Sequence, residues 1–317
     1  MNLKKHPFAF AAAAALLLAF AAASASAQSP LRLPRPSQKS SVMQTIGVTD
    51  LTITYSRPGV KGRKIWGDPP AGAPAGTATL DDGRARPADA VVVPYGHVWR
   101  TGANEATLFE VTDAVLVNGQ PLAAGRYSLH TIPGRDEWTI IFNKDDGQWG
   151  SFTYDEKKDA LRVKAKPEAS ASNQEWLAFS IDPEGENAAR VNIRWEKLTV
   201  PFTVEVKDVK ALAVEKARAS LASAKPDNWQ MPLQAANYLL QNKLDLAEAM
   251  RWTEQSIKAQ ENFNNLNLKA RILAAEGKTA EAVAAGEKAL QVGKAANANP
   301  QALANFEKTL NEWKTKK

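Results

Sequence analysis

Two stretches of the chain concentrate side chains that could hold a ligand: Arg57, Lys61 and Arg63 in one, and Tyr95, Trp99, Arg100, Asn104 and Glu105 in the other. Arginine presents a planar fork of donors that matches a carboxylate or phosphate, lysine adds a point charge, and Asn and Glu supply directional hydrogen bonds. Tyrosine and tryptophan beside them would wall a recess with apolar ring faces. If the two stretches converge, they make a positive, aromatic-walled site for a small anionic or sugar-like ligand. If they serve only the fold, Arg100 and Glu105 pair with partners that lock their loop, while Trp66 and Trp99 fill the core.

Other chemistries find little material. The chain has no Cys, which removes disulfides, thiolate metal sites and a cysteine nucleophile. His97 and His130 are the only histidines outside the first 27 residues. They are too few for a three-histidine zinc site, which leaves only two histidines with a carboxylate as a metal set; no metal and no other cofactor is expected. On a strand, His130 reads as a surface or hydrogen-bonded core residue. There is no Gly-x-Ser-x-Gly elbow, and Ser128 and His130, two apart on one strand, form no triad by themselves. Gly59 and Gly62 lack the Gly-Lys-Ser/Thr ending of a phosphate loop. A general acid or base would have to be Glu105, Asp155, Glu156 or His97.

The elements that must position these groups are strands. Between Leu51 and Val206 apolar residues mostly alternate with polar ones, as in half-buried strands. Leu51, Ile53 and Tyr55 alternate with Thr52 and Thr54; Trp138, Ile140 and Phe142 repeat the theme, as do Val191, Ile193 and Trp195, then Phe202, Val204 and Val206. Asn118-Gly119 suits the positive-φ positions of a tight hairpin turn. Asp145-Asp146-Gly147 and Asp182-Pro183-Glu184-Gly185 mark further turns. The pattern predicts an antiparallel β-sandwich or barrel-like domain over residues 28–207, interrupted by a flexible Pro/Gly/Ala-rich insertion at about 68–90.

From about residue 211 the period becomes helical, giving an α+β, multidomain chain. Leu246, Met250, Thr253 and Ile257 share one helical face, and Leu303, Phe306, Leu310 and Trp313 another. Asp245 to Glu248 matches a capping box, Gly277 suits a helix C-terminus, and Asn299-Pro300 offers an N-cap followed by Pro. Small residues recur 33 positions apart, Ala249 and Ser256 answering Ala282 and Ala289. Together with Leu-Asp-Leu-Ala-Glu-Ala at 244–249 and Gly-Lys-Thr-Ala-Glu-Ala at 277–282, they resemble the turn entering the second helix of a tetratricopeptide repeat. Two such units are visible over 211–317, fewer than the three or so an independent array needs. The helical tail is therefore expected to lean on the β domain or on a second copy.

The N-terminus reads as an export signal over residues 1–27. Lys4 and Lys5 precede an apolar run from Phe8 to Ala23, and Ala25-Ser26-Ala27 offers small residues where a signal peptidase cuts. The run is shorter than the roughly 20 residues that span a bilayer. Cleavage before Gln28 with no stable membrane anchor afterwards is expected, and with it a periplasmic or secreted location. Removing residues 1–27 lowers the formal net charge from +6 to +4. Lys314, Lys316 and Lys317 carry most of that surplus at the extreme end, which argues for a solvated tail and against a nucleic-acid partner.

Several long motifs tie the β region to a known family. They are Tyr-Ser-Arg-Pro at 55–58, Lys-Gly-Arg-Lys-Ile-Trp-Gly at 61–67, Val-Pro-Tyr-Gly-His-Val-Trp-Arg-Thr-Gly-Ala-Asn-Glu-Ala-Thr at 93–107 and Ile-Pro-Gly at 132–134. Trp-Thr-Ile-Ile-Phe-Asn at 138–143, Gln-Trp-Gly at 148–150 and Tyr-Asp at 154–155 continue them. Residues 30–207 thereby resemble the bacterial domain-of-unknown-function 2911 family, and the helical tail looks like that of its longer members. The resemblance implies an architecture and no chemistry. Three functions remain, in descending order: a binding module for a small anionic or carbohydrate ligand, an envelope scaffold that docks a protein partner on the helical tail, and a hydrolase-type enzyme.

Overall fold

The computed structural model describes residues 33–73 and 89–315. The export signal at 1–27 and the middle of the 68–90 insertion lie outside the described residues. The strands are β1 (Gln38–Ile46), β2 (Thr49–Arg57), β3 (Trp66–Gly67), β4 (Val93–Pro94), β5 (Thr107–Val111), β6 (Val115–Val117), β7 (Gln120–Leu122), β8 (Gly125–Ile132), β9 (Trp138–Asn143), β10 (Asp159–Ala165), β11 (Glu168–Pro183) and β12 (Ala188–Glu205). Six helices follow: α1 (Val209–Ala222), α2 (Gln230–Gln241), α3 (Leu246–Ala259), α4 (Phe263–Ala275), α5 (Thr279–Ala295) and α6 (Pro300–Thr315).

One antiparallel sheet runs β1-β2-β5-β8-β9-β10 and a second runs β11-β12-β6-β7. Alternation puts Leu51, Ile53 and Tyr55 on the inner face of β2, with Thr52 and Thr54 on the outer. The facing sheets close on one core, where Phe142 meets Phe202 with ring centroids 6.1 Å apart. Tyr55 packs edge-on to Phe179 and its hydroxyl accepts the Phe179 N–H at 3.0 Å. With no disulfide to help, such side chains hold the fold, each fully buried one contributing about 1.5–3 kcal/mol. The six-stranded sheet stays open, its end strands β1 and β10 unpaired with each other, so the architecture is a sandwich and not a closed barrel.

Asn118 and Gly119 take φ values of 45° and 78° between β6 and β7, as a tight hairpin requires. Val191–Trp195 and Phe202–Val206, which read as separate strands, are joined. β12 is one strand of 18 residues, with Glu196 at φ 55° absorbing a bend. β12 pairs with β11 on both sides of that bend, from Ala189 to Thr199, and with β6 at Val204 and Glu205. The insertion is closed at its base by a two-residue parallel ladder between β3 and β4.

The two repeat units are the hairpins α2–α3 and α4–α5, and Ala249, Ser256, Ala282 and Ala289 are all fully buried, so the helices approach closely where the repeat places small residues. Asn299 caps α6, accepting from the Gln301 and Ala302 N–H groups at 2.9 and 3.1 Å. Asp245 caps α3 through the Glu248 N–H, but Glu248 does not complete the box: its carboxylate takes both Nε and Nη2 of Arg218 on α1, at 2.9 and 2.6 Å. α1 belongs to both cores. Val209 and Leu212 pack on the sandwich, while Val214 and Leu221 join Ala236, Leu239 and Trp252 in the helical core. Lys216 pins it further, donating to Val48 O at 2.8 Å and Asp113 Oδ2 at 2.6 Å. No described helix is long and apolar enough to cross a membrane.

Candidate functional site

On the outer face of the larger sheet, register aligns Thr54 of β2 with Leu108 of β5 and Ser128 of β8. Segment 144–158 folds back over this face beside β8 and β9, and polar side chains that would otherwise meet water become buried beneath it. His130, fully buried, is hydrogen-bonded through Nδ1 to Ser151 Oγ at 3.1 Å and through Nε2 to Ser128 Oγ at 3.0 Å. Burial pushes its pKa down to about 3, the Arg100 charge adds to the effect and Asp145 opposes it. The ring is therefore neutral at ordinary pH and a weak base, and Ser128 is only 1% exposed. The sequence shows Ser128 and His130 two apart; the fold adds Ser151 and seals all three from solvent.

A polar network continues beneath the segment. Gln148 Nε2 donates to Asn143 Oδ1 at 3.4 Å and Asp145 O at 3.2 Å. Asn143 Nδ2 in turn reaches Asp159 Oδ1 at 2.7 Å. Asp159 also takes the Tyr154 hydroxyl and Arg162 Nε, at 2.8 and 2.6 Å. Burial, followed by the hydrogen bond to Asp159, pushes the Tyr154 phenol well up. Of the acid–base candidates, Asp155 caps a short 3-10 turn (Glu156–Lys158) and Glu156 pairs with Arg162 at 3.4 Å.

Where the network meets the surface, a recess of about 180 Å³ opens over Thr54, Ser56 and Leu108. Its walls are Lys39, Glu105, Arg126, Asp146 and Gln148. Two oxygens of these wall residues, Gln148 Oε1 and Glu105 Oε2, are buried beneath the recess surface and close no hydrogen bond of ordinary geometry. Gln148 is 5% exposed, and its amide cannot profitably flip because Nε2 already serves two acceptors. The other Glu105 oxygen accepts from Arg35 Nη1 at 2.7 Å. Burial raises the Glu105 carboxyl, but hydrogen bonds from Arg35 and its own N–H, with the charges of Arg35 and Lys39, outweigh it, and the net displacement is downward. A buried acceptor left unmatched costs about 1–3 kcal/mol.

The residues singled out from the sequence fall into two groups. Arg57 Nε donates to Leu177 O of β11 at 2.8 Å. Arg63 closes its own loop onto Gly59 O at 2.6 Å, and Lys61, at φ 49°, bonds through its N–H to Glu175 and lays its ammonium 5.6 Å above the Trp176 ring. Trp99 is in the core, stacked on Trp195 at 5.7 Å with Trp66 edge-on at 5.8 Å. Tyr95 carries Arg135 over its ring at 5.2 Å. Arg100 donates to Asn104 O at 2.5 Å, and Asn104, at φ 61°, donates to Ser37 O at 3.2 Å. Arg100, Asn104 and Glu105 thus gather around 148–152, and of the eight only Glu105 lines the recess.

A family model described as protein of unknown function (DUF2911) matches residues 37–204, more than half of the chain. The chain belongs to the DUF2911 family. No curated protein and no solved structure matches it. In this DUF2911 domain the matched span holds the recess and all eight residues named above, and it stops inside β12, ahead of the helices.

Lys39, Arg126, Asp146 and Gln148 escape a reading of the DUF2911 sequence because they come from β1, β8 and the 144–158 segment, which only the fold brings together. The only signal for Gln148 is its place in the Gln-Trp-Gly motif. Gly150 there has φ 68°, and a Cβ on it would lie 2.7 Å from Arg100 Nη2, so the guanidinium rests directly on bare backbone. Arg100→Ala is expected to cost about 2 kcal/mol, the scale of a part-buried charged hydrogen bond, read from urea unfolding midpoints. Wild-type stability in that variant would contradict a locking role.

Proposed function

We propose that the protein is an exported binding module for a small sugar-like or anionic ligand seated in the recess between Glu105 and Gln148. The enclosed, polar-walled recess with Lys39 and Arg126 in its lining carries the reading. Lys39 at the rim complements an anionic or electron-rich ligand oxygen, beside Arg126, whose Nε also pairs with Glu110 and Asp146 at 3.4 and 3.0 Å. At about 180 Å³ the recess lies below the roughly 300–1,000 Å³ of drug-sized sites, which favours a single ring. Export rests on the leader pattern of residues 1–27. Catalysis draws less support: Asp155 and Glu156 are spent on a cap and an ion pair, Glu105 is ion-paired to Arg35 and displaced downward, and His130 is sealed and held neutral.

Leu108 on the recess floor allows a test. The wild type is expected to show chemical-shift responses of recess residues to a panel of hexoses and sugar acids, and Leu108→Trp should fill the space with little change in melting temperature and abolish them. Equal responses in wild type and variant would remove the recess as the site. A second reading, docking of a protein partner on the helical tail, draws on a groove of about 230 Å³ between α2 and α4, where Asn267 Oδ1 is buried without a partner.

A further inference from the structure

We infer that residues 144–158 form a strap that opens independently of the sandwich and opens further as the medium acidifies, with His130 beneath it as the group that takes up the proton. No side chain of 144–158 belongs to the sandwich core, and Trp149 and Phe152 are 52% and 42% exposed. Polar contacts hold the strap down. The Gly150 N–H donates to Asn104 O at 2.9 Å, the Ala106 N–H donates to Gln148 O at 3.0 Å, and Asp146 pairs with Arg126 at 3.0 Å. A segment that buries little apolar surface sits at the low-stability end of a fold, so this one can lift while the core stays packed.

Lifting the strap uncovers His130. The ring loses Ser151 Oγ from Nδ1 and the Tyr154 ring, whose centroid lies 5.1 Å away, and keeps only the Ser128 contact on its own strand. Arg100, from the 95–106 loop, disfavours a proton on the ring, and Asp145, on the strap, favours one. Behind Tyr154, Asp159 and Arg162 pair with each other at 2.6 Å. Along the sheet Glu110 of β5 and Arg126 of β8 pair at 3.4 Å, and β9 sets Ile141 beside His130. Covered, the imidazole is held at about 3 by burial and the Arg100 charge; in water it returns toward 6.5. The closed strap is therefore favoured in full above pH 6.5, and each pH unit below shifts the balance about tenfold toward the open form. Opening also takes Asp146, Gly147 and Gln148 out of the recess wall. Release of a bound ligand in acid follows, a consequence that rests on the reading of the recess as a ligand site.

Amide hydrogen exchange of the full chain at pH 7.5 and 5.0, expressed as protection factors, tests this. The Gly150 amide should be protected far less than the amides of β2 and β9 at both values, and its protection should fall about 30-fold between them, the shift that proton uptake between pKa values of about 6.5 and 3 produces. In His130→Gln that fall should vanish while the gap to the core strands persists. Equal protection of Gly150 and the core strands at both values would mean that the strap opens only with the whole domain, and a strap protection that does not change with pH would remove His130 as the trigger. Either result overturns the inference. No ligand enters the measurement, so these outcomes leave the recess reading standing, just as failure of the Leu108→Trp test leaves the strap standing.

Discussion

Between pH 6.5 and 4.5 the protein is expected to lose about 2 kcal/mol of folding stability through His130 alone. Its imidazole, ordinarily titrating near 6.5, is held at about 3 by burial and the Arg100 charge. Below pH 6.5 the unfolded chain takes up a proton at this position and the folded chain does not. Stability is therefore full above the unfolded pKa and drains by about 1.4 kcal/mol per pH unit on the way to the folded one. The carboxylates Glu105, Asp113 and Glu248 are displaced downward from 4.5, 3.8 and 4.5. Their stabilising share is intact above those values and fades only as pH falls further, so the upper window belongs to the histidine. Urea unfolding at half-unit pH steps should give a sloping stability for the wild type and a flatter one for His130→Gln, which can still bond to two hydroxyls. A flat wild-type profile would mean that the ring is not buried in its neutral form.

Gly47→Ala should cost about 3 kcal/mol and loosen the helices from the sandwich. Gly47 turns β1 into β2 at φ 61°, and a Cβ there would overlap Val209 Cγ1 and lie 2.9 Å from Cγ2, at the first turn of α1. A left-handed alanine costs about 1–2 kcal/mol, and overpacking a filled contact typically adds 1–3 kcal/mol. The steric part alone is removable from the other side. Gly47→Ala with Val209→Ala should recover part of the loss, leaving the backbone strain. Limited proteolysis should follow the same order, with cleavage near residue 208 fastest in the single variant. If the single variant were as stable and as resistant as wild type, the turn and α1 would not be in contact.

Which side chains face inward was legible from the start, because a strand's period of two and a helix's near-fourfold spacing are local properties. Leu51, Ile53 and Tyr55 are buried as their alternation demands, and the small residues of the helical repeat all lie at close helix contacts. Partner choice was not legible. Period two assigns a face but not a neighbour, so nothing in Thr54, Leu108 and Ser128 announces that they stand side by side. Nor does a sequence reveal the acceptors of Arg57 and Arg63. Both donate to main-chain carbonyls, and every residue carries one. A run of charge in the sequence therefore names the donors of a site and is silent about whether backbone has already claimed them. The polar layer under 144–158 was hidden for a related reason: Ser128, His130 and Asn143 look like solvent-facing positions until a loop covers them.

The division of labour in α1 has a consequence for how the chain acquires its shape. The helices make mostly neighbour-to-neighbour contacts, which close in microseconds to milliseconds, whereas the sandwich must join partners as distant in sequence as Arg57 and Leu177, 120 residues apart. α1 straddles the two clocks. Its C-terminal residues Val214 and Leu221 find the helical core early, while Val209 and Leu212 have nothing to rest on until the sheets have met. The first turn of α1 is then the last part of the tail to become protected from hydrogen exchange, and its protection marks the moment the sandwich is complete.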